Sequence, residues 1–119
     1  MITQAIVKEF LNYNEHTGVL RWLPRDVSWF KSSKEWKRWN TRYAGKPAFT
    51  YFSQGWRQGC ILNQHYLAHR VVWLWMTGRH STAIRFRNGD HTDLRFSNLV
   101  EHDSPAAVRE WLRSERAAA

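Results

Sequence analysis

The side chains best equipped for chemistry gather between positions 80 and 103: His80, Arg85, Arg87, Asp90, His91, Asp93, Arg95, Asn98, His102 and Asp103. Imidazoles mixed with carboxylates are the material of acid–base catalysis or of a metal site, since His titrates near neutrality and carboxylates are hard ligands. A metal here would have to be collected from His80, His91, His102 and Asp103, and their spacing does little to bring them together. The expectation is therefore no metal and no cofactor, with His91, His102 and Asp103 as the residual ligand candidates. His65 and His69 stand four apart, as zinc ligands on one helix face do, but His65 falls ahead of the helix. There is no Gly-rich phosphate loop and no Ser/His/Asp hydrolase pattern. Cys60 has no base near it in sequence and reads as a small buried hydrophobe on a strand.

A second chemistry lies upstream. Between positions 21 and 46 there are eight basic side chains against Asp26 and Glu35, which is three quarters of the net charge of +8. Lys34, Lys37, Arg38, Arg42 and Lys46 form its densest part. A local excess of cations suits the tracking of a phosphate backbone. The sequence pI near 10.3 points the same way, to nucleic acid first and to an acidic protein or membrane surface second. Eight tryptophans supply bulk for a small core, and the same rings stack on bases or anchor interfaces.

These residues need elements to hold them. A chain of 119 residues fits one domain, 1–119, divided into an N-terminal helix, strand and basic helical insert (1–46) and a hairpin, central helix and strand–loop–strand–helix core (47–119). Thr3 caps a predicted helix over 3–11, and Asn14 to Gly18 form a turn before a strand at 19–23 that Pro24 ends. Ser32 to Glu35 read as a capping box for a helix over 34–43. On it Trp36, Trp39 and Tyr43 share one face, and Lys34, Arg38 and Arg42 line roughly the opposite one. Strands at 48–52 and 57–62 flank a turn at 53–55, and a third strand lies near 65–67. The helix over 67–77 is apolar on nearly every side, so it is the expected centre of the core, and Gly78 stops it. Strands at 84–87 and 99–102 follow, then a last helix capped by Asp103 or Ser104, with Pro105 in its first turn and Val108, Trp111 and Leu112 inward. One cysteine excludes an internal disulfide framework. No apolar run reaches transmembrane length and no signal pattern opens the chain, so the expected location is cytoplasmic, with no membrane partner.

The stretch YLAHRVVWLWMTGRHSTAIRFRNGDHTDLRFSNLV, positions 66–100, resembles the phage-type HNH endonuclease family, whose usual wording is AHR…W…TG…IDHINGD.TDNR.SNL. NGD falls at 88–90, TD at 92–93 and R-x-SNL at 95–99. NYNEHTGVLRW near the N-terminus is similar to the family's Y.PETG.L.W opening, and WNTRYAGKPA also looks like the family. The resemblance implies an α+β fold: a small HNH-like ββα-metal domain with a short antiparallel sheet, the central apolar helix and an N-terminal basic extension. It also implies a phage or prophage protein working in the host cytoplasm.

By the same resemblance the family's metal-binding Asp falls on Arg85 and its general-base His on Phe86. A further helix ligand falls near Ala107. Arg is a permanent cation, Phe has no ring nitrogen and Ala has no ligand atom. Asn98 matches the family's positioning Asn and is retained, with a structural role in the loop. His69 belongs to the AHR signature, where it is expected as a buried, hydrogen-bonded residue. The leading expectation is a catalytically inactive HNH-like protein that grips phosphates with Arg85, Arg87, Arg95 and the basic helix. Two others stand beside it: an anti-CRISPR-like inhibitor of a host nucleic-acid-handling or defence complex, and a nuclease with rearranged ligands. Oligomeric state, and DNA against RNA, are open at this point.

Overall fold

The computed structural model describes residues 2–101, and within them the chain is a small α+β fold with three α-helices and short antiparallel sheets. Helix α1, Gln4–Phe10, starts where the Thr3 hydroxyl accepts the Ile6 amide, and it buries Val7 and Phe10. The sequence pattern extends this helix to Leu11, but Leu11 is already extended and opens strand β1, Leu11–Tyr13. It pairs antiparallel with β2, Leu20–Trp22, with Leu11 opposite Trp22 and Tyr13 opposite Leu20. The pairing wins because Leu11, Tyr13 and Leu20 then all face the core. The Asn14 carboxamide closes the turn by accepting the His16 and Thr17 amides.

After β2 a single turn of 3₁₀ helix, Val27–Trp29, leads to α2, Ser33–Tyr43, which Ser32 caps through the Glu35 amide as the capping box predicts. None of its residues is fully buried, and the ring face is a half-exposed contact. The helix is held by polar bonds as well as rings. Trp36 Nε1 and Asn40 Nδ2 both donate to the Arg25 carbonyl, and Asn40 Oδ1 accepts the Arg25 amide.

Strands β3 (Tyr51–Ser53), β4 (Trp56–Ile61) and β5 (Gln64–Leu67) form a meander in the order β3-β4-β5. The turns Gln54-Gly55 and Leu62-Asn63 have positive φ at both residues, as two-residue hairpin loops require. The first strand starts later than its sequence suggests, since Ala48 and Phe49 leave the ladder to enter the core. Phe49 lies over Gly59, where a Cβ would stand 3.0 Å from its ring. Cys60 is exposed, which overturns the expectation of a buried thiol. It pairs with the exposed His65, on the side of the sheet away from Ile61, which is buried.

Helix α3, Ala68–Thr77, is the centre the sequence predicts, burying Ala68, His69, Val71, Val72, Trp73 and Leu74 and ending at Gly78 with φ of 76°. It lies against α1, tied by Gln4 Nε2 to the Trp75 carbonyl and by Trp75 Nε1 to the Leu11 carbonyl. Strands β6 (Ile84–Phe86) and β7 (Leu99–Glu101) then pair antiparallel, with Arg85 opposite Val100. The predicted last helix, with Val108, Trp111 and Leu112, lies outside the described residues, as do His102, Asp103 and Ala107. No helix among the described residues is long and apolar enough to cross a membrane.

Candidate nucleic-acid interface

The loop between β6 and β7 is built around one side chain. Asn98 is buried; its Nδ2 donates to Asn88 Oδ1 and to the Asp93 carbonyl, and its Oδ1 accepts the Asn88 amide. Its carbonyl accepts the Arg87 amide. All the polar atoms of the carboxamide that can bridge the loop are thus in use, a structural role that needs no ion. Asp90 closes the next turn on Thr92, through both the amide and the hydroxyl. Asp93 takes the guanidinium of Arg95 in a two-pronged pair, at 2.9 and 2.7 Å. These bonds to Arg95, the largest cause, hold the Asp93 carboxyl down at about 2. Arg95 therefore comes to the site with its fork engaged.

The N-terminal hairpin buttresses this loop. Gly18 has φ of 76°, and a Cβ there would stand 2.6 Å from the Arg95 amide nitrogen. The Glu15 carbonyl accepts the Phe96 amide, and the Tyr13 hydroxyl donates to the Leu94 carbonyl. Burial pushes that phenol's pKa well up.

Beside the loop, Phe86 is buried in a cluster of rings. Its centroid lies 4.9 Å from His91, 5.2 Å from His69 and 6.2 Å from Trp56. His91 stacks flat on Trp56, centroids 4.4 Å apart and planes within 5°, and its Nδ1 bonds the Gly55 carbonyl at 2.9 Å. A carbonyl only accepts, so Nδ1 carries the proton. His69 is buried as expected, but among the described residues its ring makes no hydrogen bond; burial foremost, then the charges of Arg70 and His91, lowers its pKa to about 4. It is neutral at pH 7. Arg85 is half-buried on β6 and Arg87 exposed just after it. Neither Arg85 nor Phe86 suits a divalent ion or proton transfer: one is a fixed cation, the other a hydrocarbon ring in a packed cluster.

Of the residual metal candidates only His91 lies among the described residues, bonded to the Gly55 carbonyl, while His80 bonds the Ile2 carbonyl at 2.7 Å. No group of three His, Cys, Asp or Glu is placed to hold a metal ion among the described residues.

Lys34, Lys37, Arg38, Arg42 and Lys46 are all exposed, on or just after α2. Arg38 and Arg42 border a hollow of about 290 Å³ with Trp39 and Tyr43. The residue that sequence reasoning passed over is Arg25. Its guanidinium carbon lies 3.9 Å from the Trp39 centroid, 4.6 Å from Phe10 and 5.3 Å from Trp22. The available signal was a cation placed between Trp22 and Trp29, which the charge count treated as one of many. No protein-family model, curated protein or solved structure matches the chain.

Proposed function

We propose that the chain is a catalytically inactive HNH-nuclease-like protein that binds nucleic acid through its basic surface. The observation that carries this reading is the pairing of an intact loop with a replaced centre. Asn98 still joins Asn88 and Asp93, while the two positions on β6 that the family resemblance assigns to metal ligand and base carry Arg85 and the buried ring of Phe86. Replacing an Asp by Arg changes the local charge by about two units, and Arg87 adds another cation, so phosphate is favoured where a metal once bridged it. The exposed cations of α2 give a second surface for the backbone. Contacts of this kind read charge, so affinity falls steeply with salt and depends little on sequence.

The test is one assay that reads both cleavage and gel shift, on single- and double-stranded DNA, with Mg²⁺ or Mn²⁺, at two salt concentrations. A salt-sensitive shift without cleavage is the expected result. Metal-dependent cleavage lost in His91→Ala would instead establish a nuclease with rearranged ligands.

A protein–protein inhibitor of a host nucleic-acid-handling or defence complex is the second reading. It draws on Tyr51, Phe52 and Leu62, large apolar side chains 67, 50 and 45 % exposed, at β3 on the sheet edge and in the turn after β4. Arg85 and Arg87 would then meet an acidic partner surface. No shift with any nucleic acid, together with capture of one defined host complex, would favour it.

A further inference from the structure

The second hollow beside α2 has a composition that the phosphate-tracking reading does not use. It holds about 430 Å³, within the range of small-ligand pockets, and Trp22, Trp29, Trp39 and Tyr43 line it together with Arg25 and the rim residue Cys60. Burial is incomplete, with Trp29 39 % and Tyr43 37 % exposed. Aromatic cages of this kind commonly hold a cation, but here Arg25 already fills that role, stacked on Trp39 and flanked by Phe10 and Trp22. Its Nε is buried and has no hydrogen-bond partner among the described residues. No acidic side chain borders the hollow among the described residues. A cationic occupant is therefore repelled, and an aliphatic one leaves the guanidinium without an acceptor. What fits is a flat group with a π-face and an acceptor-rich edge.

Trp39 and Tyr43 also border the smaller hollow that Arg38 and Arg42 share with Phe30 and one carboxylate, Glu35. A chain leaving the aromatic hollow thus meets two fixed cations across the same two rings. We infer that this hollow takes an unpaired nucleobase of a single-stranded nucleic acid, stacked on Tyr43 with its acceptor edge toward Arg25 on Trp39 and its flanking phosphate on Arg38 and Arg42. Bases in a duplex are stacked on each other and offer no free face, so single strands are preferred. This inference rests on the nucleic-acid reading above and adds the form of the ligand.

The test uses the sole thiol as a footprint on the unaltered protein. Cys60 is exposed at the rim of the hollow, so its modification by a maleimide reports occupancy. A short oligothymidylate is expected to slow that reaction in proportion to the bound fraction, and a blunt duplex of equal length to leave it unchanged. Tyr43→Ala is expected to weaken oligothymidylate binding about tenfold, the loss of one stacking platform, with duplex affinity unmoved and Tyr43→Phe restoring the wild-type value. An oligonucleotide that binds with salt sensitivity yet leaves Cys60 reactive, or binds Tyr43→Ala as well as wild type, overturns the base pocket and leaves the phosphate surface standing. No binding of either nucleic acid by the wild-type protein overturns both.

Discussion

The β6–β7 loop and the α2 insert are both rich in polar and charged side chains, and they differ in where those groups point their bonding capacity. In the loop the capacity is consumed internally. Asn98 bridges Asn88 and Asp93, Asp90 closes on Thr92, and Arg95 closes on Asp93. In the insert Lys34, Lys37, Arg38 and Arg42 stand exposed, and Arg25 is packed on rings with its Nε unmet among the described residues. Similar residue types thus make a framework in one place and a surface in the other. Residue type alone does not mark a binding site; the unengaged donors do.

The framework is tightest where Gly18 meets the backbone of Leu94 and Arg95. Gly18→Ala forces a Cβ against the backbone of Leu94 and Arg95 at positive φ. Strain and overlap together are expected to cost about 3–5 kcal/mol, read as a lower denaturant midpoint. A change below about 1 kcal/mol would mean that the hairpin is not seated on the loop. Asn98→Ala comes next, because it removes the bonds to Asn88 and Asp93 and leaves the part-buried Asn88 amide and Asp93 carbonyl without that partner. About 2–3 kcal/mol is expected in the same measurement.

Acid tests the ring cluster beside the loop. The folded pKa of His69, about 4, lies below its unfolded value of 6.5, so above that value both states are neutral and the group contributes nothing. Below it the unfolded chain takes a proton that the folded chain refuses, and stability falls as pH falls, by about 2 kcal/mol between pH 7 and about pH 4.5. Asp93 works in a separate, lower window, between its unfolded value of 3.8 and about 2, where protonation releases Arg95. Denaturant midpoints across pH would show the first loss before the second; a flat profile from pH 7 to about pH 4.5 would contradict a buried neutral His69.

The smallest expected effect sharpens the contrast between engaged and unengaged arginines. Arg38→Ala with Arg42→Ala is expected to reduce the slope of log affinity against log salt for a single-stranded oligonucleotide by about 0.7, the value for one phosphate, without altering stability. Arg95→Ala is expected to do the reverse, lowering the denaturant midpoint slightly and leaving the salt slope as it was. Equal salt effects from the two variants would erase the distinction between the regions.

Much of the fold was legible because it depends on local chemistry. Thr3 and Ser32 announce helix starts by the short side-chain acceptors they carry, and Gly78 announces a stop because it reaches positive φ at little cost. The unbroken apolar run of α3 specifies its own burial. Asn98 was readable as a structural residue for a similar reason, since the loop that it pins lies within ten positions of it. Arg85 and Phe86 were readable as unfit for metal or proton chemistry from their functional groups alone.

What depended on the tertiary structure involves partners far apart in the chain. Leu11 left α1 for a strand because Trp22 was there to pair with it, and Cys60 stayed exposed because the face of β4 that carries it is not the one packed on the core. Arg95 has the same side chain as Arg38, and only the placement of Asp93 decided that one is closed and the other open. Arg25 became the floor of an aromatic hollow only when Phe10, Trp22 and Trp39 came together from α1, β2 and α2. Residue identity alone accounts for the local propensities, the excess of positive charge and the chemistry of Arg85 and Phe86 as a fixed cation beside a hydrocarbon ring. Which of the cations remain available to a ligand is a property of packing, because a donor is engaged or free according to what the fold places within about 3 Å of it.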